Sequence, residues 1–244
     1  MNASPAPQLS VVIPVCNEEP NIEPLAAELR AALAGLPHEV LYVDDGSIDG
    51  TVAAVRRARA AGSPIRLLRH ARRSGQSAAL CTGLCAARAP WVATLDGDGQ
   101  NDPADIPRLL AARDDPAHRD VRLFMGHRTR RRDTWLRRLS SRVANGVRSR
   151  LLGDATPDTG CGLKLIHRET FAQLPRFDHM HRFLPALVQR AGARVVSVPV
   201  HHRPRERGQS KYGLFDRLWV GIIDLCGVAW LKRRPAGPRE VVEE

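Results

Sequence analysis

A chain of 244 residues with 43% hydrophobic content can bury a real core, which excludes disorder as its main state and suits one enlarged domain. Its net charge of +11 rests almost wholly on arginine, since Lys164, Lys211 and Lys232 are the only lysines, and it favours polyanionic partners: nucleic acid, phosphorylated small molecules or an anionic membrane surface. The five cysteines are odd in number and lack paired zinc spacing, so a reduced setting fits better than a disulfide framework. Residues 1–8 read as a flexible N-terminus with no basic region ahead of an apolar core, so no secretory leader is expected. Leu9–Pro14 is a β-branched run ending at a proline, as a buried parallel strand does. A helical pattern follows from Ile22 to about Leu36, then a second strand, Glu39–Asp45, stops at two carboxylates. Thr51–Ala61 reads as a helix, Ile65–His70 as a strand, Gly75–Ala87 as a helix and Trp91–Asp96 as a strand. This alternation predicts an α/β fold with a doubly wound, mostly parallel sheet and helices on both faces.

The second half is less regular. Val121–Gly126 reads as a strand leading into the basic segment Arg128–Arg150. There Trp135, Leu139, Val143, Val147 and Leu151 recur every four residues between arginines, which suits either a membrane-interface helix or a helix packed on the sheet. Leu163–His167, a helix near His179–Ala191 and the strand Arg194–Pro199 follow, then a polar arm, an apolar helix over 213–234 and a charged tail, 235–244. Leu218–Leu231 is the most apolar stretch, but it is short for a bilayer and carries Asp224, so no transmembrane helix is expected. Leu214–Leu231, with Trp219 and Trp230 near its ends and Lys232, Arg233 and Arg234 just beyond, reads either as an amphipathic interfacial helix or as one packed on the body. No long exposed apolar heptad argues for a particular oligomeric state.

Ligands of such sheets sit beyond the carboxyl ends of the strands. Three strand ends carry polar or acidic residues there: Pro14, Asn17 and Glu18; Asp44 and Asp45; Asp96, Asp98 and Gln100. Carboxylates crowded on one rim repel each other unless a cation or donor groups sit among them, and the alternating oxygen ligands of Asp96–Gln100 can converge on Mg²⁺ or Mn²⁺. The same stretch is not a calcium loop, because Asn101 replaces the required glycine and Pro107 the final glutamate. Neither a dinucleotide fingerprint nor a P-loop occurs, so phosphates are expected to be held by the metal and by basic side chains such as those of Arg205–Lys211.

The ordered motifs Ile13–Glu18, Val43–Ser47, Asp96–Gln100 and Arg205-x-x-Gly208-x-Ser210-Lys211 resemble family 2 glycosyltransferases. Within that family they are most similar to the dolichyl- and undecaprenyl-phosphate sugar transferases, over about Leu9 to Trp230. The resemblance implies a GT-A domain over 9–212, with a nucleotide-binding half at about 9–126 and an acceptor half at about 127–212. It implies that Pro14, Val15, Asn17, Glu18, Asp44, Asp45, Gly75, Asp96, Asp98 and Ser210 surround the nucleotide-sugar. By the same resemblance Asp96, Asp98 and Gln100 gather around the metal, and Arg205, Ser210 and Lys211 belong to a loop that closes over donor and acceptor phosphates. Asp158–Lys164 and His181–Phe183 are similar to acceptor-side segments. Cys16 departs from the family's pattern, standing where these enzymes often place an aromatic.

The implied reaction is an inverting transfer from a UDP- or GDP-sugar to a polyprenyl phosphate, in which a divalent cation held by Asp98, together with Arg205 and Lys211, stabilises the departing diphosphate. A lipid phosphate, with its second ionisation at about pH 6, needs no strong base, whereas a sugar hydroxyl of a glycan would, with Asp158 the candidate. The setting implied is cytoplasmic and peripheral, at the inner face of the plasma membrane, with anionic lipid as partner. The charge leaves a nucleic-acid binding protein as a rival, against which stand an aromatic content of 5% and the absence of any recognisable recognition module. A nucleotidyltransferase is the other rival; its basic glycine-rich loop would stand where Cys16-Asn17-Glu18-Glu19 is.

Overall fold

Seven strands pair into one sheet in the order β3-β2-β1-β4-β6-β5-β7. They are β1 (Leu9–Val15), β2 (His38–Asp44), β3 (Ile65–Arg69), β4 (Trp91–Thr94), β5 (Val121–Arg128), β6 (Lys164–His167) and β7 (Arg194–Val200). The helices between them are α1 (Glu19–Ala32), α2 (Thr51–Ala60), α3 (Gln76–Ala86), α4 (Ile106–Asp114), α5 (helical over 146–152), α6 (Arg168–Ala172), α7 (Leu184–Arg190) and α8 (Leu214–Lys232). This computed structural model describes residues 6–128, 146–154, 156–204 and 214–234. Most of the basic helix expected over Arg128–Arg150, and the arm from Arg205 to Gly213, therefore lie outside the described residues.

Period-two alternation divides the core between two faces of the sheet. Val11, Ile13, Val40 and Tyr42 cluster with Ile22, Leu25 and Leu29 of α1, Ala54 and Val55 of α2, and Ile106 and Leu109 of α4. Val12, Leu41 and Val43 cluster on the other side with Leu80 and Leu84 of α3, Phe171 of α6, and Leu184 and Leu187 of α7. The two-sided burial is what the continuous apolar runs of β1 and β2 foretell. α1 starts earlier than its apolar pattern, at Glu19, because Pro20 is tolerated in a first turn whose N–H groups have no helical partner.

The sheet is not wholly parallel. β6 runs antiparallel to both β4 and β5 and is inserted between them, while β5 and β7 are parallel to each other. A four-residue run carries no sign of its direction; the connection that delivers it decides. β1 pairs with β2 on one side and β4 on the other. The chain winds outward from β1 through β2 to β3, then returns to build the other half from β4, so the topological switch lies between β1 and β4. The carboxyl ends of those two strands carry Asn17 and Asp96–Gln100.

α8 begins and ends close to where its apolar run does. Val228 is buried, and Leu225, Ala229 and Leu231 pack on the second core cluster. Apolar side chains also face outward, with Ile223 67% and Trp230 61% exposed, so the described part does not divide cleanly into an apolar and a polar face. Asp224, the acid in mid-helix, accepts a hydrogen bond from His179 Nδ1 at 3.0 Å. Among the described residues no helix is long and apolar enough to cross a membrane.

Candidate active site

The loops after β1 and β2 are stitched together by short polar side chains. Asn17 takes a left-handed φ of 54°, its N–H donates to Ser47 Oγ at 2.9 Å, and its Oδ1 accepts from the Ile48 N–H at 2.8 Å. The Glu18 N–H donates to Thr51 Oγ1 at 2.8 Å, and Glu18 Oε2 accepts from Asn21 Nδ2 at 2.7 Å. Asp44 is fully buried and accepts from the Ser47 N–H at 3.2 Å, so it braces the turn after β2. Asp45 accepts from His70 Nδ1 at 2.8 Å and from the N–H groups of Ser74 and Gly75 at 2.7 and 2.8 Å. Burial opposes ionisation of Asp45, but these donors outweigh it and hold its carboxyl below the usual carboxylate range. Asp45 thereby ties the 70–75 loop and the start of α3 to the end of β2, and Gly75, at φ 95°, makes the sharp entry into α3.

The Asp96–Gln100 loop lies over the end of β1. A Cβ on Gly97 would come within 2.7 Å of Val15 Cγ1, so the glycine lets the loop lie directly on buried Val15 and beside the Pro14 carbonyl. Asp96 Oδ1 accepts from Gln76 Nε2 at 2.8 Å, and Asp98 Oδ1 accepts from the Gln100 N–H at 3.1 Å. Burial first, and the Asp98 charge second, push the Asp96 carboxyl above its ordinary range, against the pull of Lys164 and Arg128. A carboxylate whose proton affinity is raised by burial and by a neighbouring carboxylate belongs to a donor set that a divalent cation would relieve. Among the described residues no three His, Cys, Asp or Glu side chains group as metal ligands, and the loop's own oxygen donors are the carboxylates of Asp96 and Asp98 and the amide of Gln100. These residues fit Mg²⁺ or Mn²⁺.

The segment from Asp158 to Leu163 leads into β6 and passes beside this loop. Gly162 lies against Asp96 so closely that a Cβ would fall 2.2 Å from Asp96 Oδ2. Asp158 is held by Arg128 on both oxygens, at 2.6 Å from Nε to Oδ2 and 2.8 Å from Nη2 to Oδ1. Lys164 is buried, and its Nζ donates to the Cys161 carbonyl. Burial pulls its ammonium below the ordinary range while the Asp96 charge acts the other way. His181 Nδ1 bonds Ser77 Oγ at 2.7 Å, and desolvation, then the charges of Lys164 and Arg182, pull the ring down to about 3. It is neutral at pH 7.

Thus Pro14, Val15, Asn17, Glu18, Asp96, Asp98 and Gln100 meet at the switch point, and Gly75 joins them through Asp45. Asp44 supports a turn from below, and Asp158 faces Arg128. Arg205, Ser210 and Lys211 lie outside the described residues. Sequence reasoning passed over Gln76, His70, Ser77 and Arg128, and it gave Lys164 no role of its own. None stands at a telling spacing, because they reach the site from separate elements: His70 from just past β3, Gln76 and Ser77 from α3, Arg128 from β5 and Lys164 from β6.

The sequence profile described as glycosyl transferase family 2 matches residues 10–174. Dodecaprenyl-phosphate galacturonate synthase of Rhizobium johnstonii is 37% identical over 237 residues, covering 95% of this chain and 69% of that protein. Undecaprenyl-phosphate 4-deoxy-4-formamido-L-arabinose transferase of Edwardsiella ictaluri is 35% identical over 209 residues, covering 84% of this chain and 63% of that protein. The chain thus spans about two thirds of the length of these relatives. Among solved structures, a mannosyltransferase of Pyrobaculum calidifontis in complex with GDP-mannose and Mn²⁺ superposes with a TM-score of 0.68 at 23% identity, over 96% of this chain and 66% of that one. Glucosyl-3-phosphoglycerate synthase of Mycobacterium tuberculosis, in complex with Mn²⁺, UDP and glucosyl-3-phosphoglycerate, gives 0.71 at 20% identity over 93% and 80%. These two likenesses establish the GT-A fold, and the profile match together with the 37% relative settles the descent: the chain belongs to glycosyl transferase family 2 and is a glycosyltransferase.

Proposed function

We propose that the protein transfers a sugar with inversion from a UDP- or GDP-sugar to a polyprenyl phosphate, using Mg²⁺ or Mn²⁺ at Asp96, Asp98 and Gln100. The carrying observation is the Asp96–Asp98 pair at the β1/β4 switch point, where the Asp96 carboxyl is destabilised until a cation or donor joins it. The residues at about 9–126 would hold the donor and those at about 127–212 the acceptor. A divalent ion bound there would act as a Lewis acid on the departing diphosphate. Asp98 would act on that diphosphate through the ion it holds, and Gln76 restrains the Asp96 carboxylate by its hydrogen bond to Oδ1. Arg205 and Lys211, outside the described residues, are the basic groups proposed to neutralise charge on the leaving side.

A phosphate acceptor suits the acceptor side better than a hydroxyl. Both oxygens of Asp158 already accept from Arg128, so the carboxylate is tied into an ion pair and would have to leave that partner's field to take a hydroxyl proton. A lipid phosphate arrives as an anion and asks for no base. The names of the two relatives, each a polyprenyl-phosphate sugar transferase, support the same acceptor. A peripheral position on an anionic cytoplasmic membrane face is proposed with it, on the charge of +11 and the outward Ile223 and Trp230 of α8.

The test is a transfer assay with Mg²⁺ or Mn²⁺ across UDP- and GDP-sugars, with polyprenyl phosphate in detergent and an Asp98→Ala control. Metal-dependent sugar-lipid, reduced about 10²- to 10³-fold in the control, is the expected result. Donor hydrolysis that needs Asp98 but yields no sugar-lipid would move the acceptor to a glycan. Absence of both product and nucleotide-sugar binding would overturn the reading.

A further inference from the structure

Past the end of β7 the chain turns under the Asp96–Asp102 loop, and one residue there makes three separate attachments. The Arg203 N–H donates to the Gln100 carbonyl at 3.0 Å. Its Nη2 lies 2.8 Å from Asp102 Oδ1, and its Nη1 lies 2.8 Å from Glu28 Oε2 on α1. One planar guanidinium thus spans two carboxylates on different elements while its backbone grips a third point. The neighbouring contacts run the same way: Asn101 bridges His202, and the His201 N–H donates to Asp105 Oδ2 at 2.6 Å.

These attachments close on the proposed metal loop. Gln100, whose carbonyl Arg203 holds, donates its own N–H to Asp98 Oδ1. Asp98, Gly99, Glu28 and Arg203 line one cleft. Both ion pairs reach solvent, with side chains 39% accessible at Arg203, 42% at Glu28 and 18% at Asp102. Pairs so wetted add little to stability, so keeping the fold together does not account for the arrangement. Loop placement does, because a loop rich in glycine, with Gly99 at φ 75°, has no helix or strand of its own to fix Asp98.

We infer that Arg203 is a positioning residue that fixes the Asp98–Gln100 segment against α1 and so sets the geometry in which Asp98 and Gln100 meet the cation and diphosphate. The inference rests on the glycosyltransferase reading above. A lysine could keep the charge but not bridge both carboxylates, and Glu28 is the partner that anchors the whole assembly to a rigid helix.

The full chain is compared as wild type, Arg203→Met, Arg203→Lys, Glu28→Gln and the Arg203→Met/Glu28→Gln double variant. Mn²⁺ affinity in the presence of UDP or GDP is read by calorimetry, kcat by the transfer or donor-hydrolysis assay, and folding by the urea midpoint. Arg203→Met is expected to keep its midpoint, weaken Mn²⁺ binding about 10-fold and lower kcat about 10- to 100-fold, the range of residues that orient metal ligands. Arg203→Lys should recover little. Glu28→Gln should show a smaller loss, and the double variant should be no worse than Arg203→Met. Unchanged metal affinity and kcat in a folded Arg203→Met would overturn the inference. So would strictly multiplicative losses in the double variant, and Glu28→Gln alone decides if Arg203→Met does not fold, since its metal affinity must then fall. A wild type that binds neither Mn²⁺ nor nucleotide would instead bring down the reading on which Arg203's role rests, before any variant is compared.

Discussion

At the scale of single residues, the site is held by carboxylates that do different work according to what surrounds them. Asp44 and Asp45 are adjacent in sequence, yet Asp44 points into the turn below the sheet rim while Asp45 collects three donors from the 70–75 loop. Asp96 is instead driven the opposite way, toward protonation, by burial first and by its carboxylate neighbour Asp98 second. His181 offers a residue-scale prediction. Its folded value is pulled to about 3 from an ordinary 6.5, so the unfolded chain takes up a proton that the folded one refuses. Stability attributable to His181 is therefore complete above pH 6.5 and falls as the pH drops toward 3, by at most about 1.4 kcal/mol per pH unit. Melting temperatures from pH 7 to 4 should decline less steeply in His181→Gln than in the wild type; parallel curves would contradict this.

At the scale of elements, helices and strands foretold from periodicity return within a few residues of their expected bounds. β1, β2 and α2 are the clearest cases, because β-branched runs and a threonine-led first turn mark their limits. The insertion of β6 was not legible. Its consequence is local and testable, since β6 and the segment before it bring Gly162 to the side of Asp96. Gly162→Ala places a methyl 2.2 Å from Asp96 Oδ2, 2.4 Å from Asp96 Cγ and 2.6 Å from Asn101 Oδ1, so both side chains must shift to admit it. The variant is expected to fold, with Asp96 displaced and metal-dependent transfer lowered about 100-fold. Wild-type kcat in Gly162→Ala would show that Asp96 tolerates the shift. The same reasoning accounts for α3 lying so near the sheet, since a Cβ on Gly83 would meet Val12 Cγ1 at 2.3 Å.

At the scale of the whole molecule, net charge sets which surfaces are expected to attract the protein. A surplus of +11, nearly all arginine, creates a field that extends about 8 to 10 Å into physiological salt. Binding to vesicles containing anionic lipid is expected to exceed binding to neutral vesicles and to weaken as salt rises from 50 to about 300 mM, since each basic residue near such a surface contributes about 1 kcal/mol. Co-sedimentation with the two kinds of vesicle reads this directly, and equal binding to both would assign the attachment to α8 and its outward Ile223 and Trp230 instead.

The sequence by itself determined the alternation of strand and helix, the two-sided core and the three polar strand ends, because each follows from local periodicity and from where a buried run must stop. It also held the identity of the candidate cation ligands, since Asp96, Asp98 and Gln100 are neighbours in the chain. Only the tertiary structure decided the direction of β6, the pairing of Asp158 with Arg128, the burial of Lys164 and the reach of Arg203 to Glu28. The two ion pairs join residues 30 and 175 positions apart, Arg128 with Asp158 and Arg203 with Glu28. No local pattern records them, because the energy of a salt bridge or a buried ammonium depends on which elements the fold brings face to face.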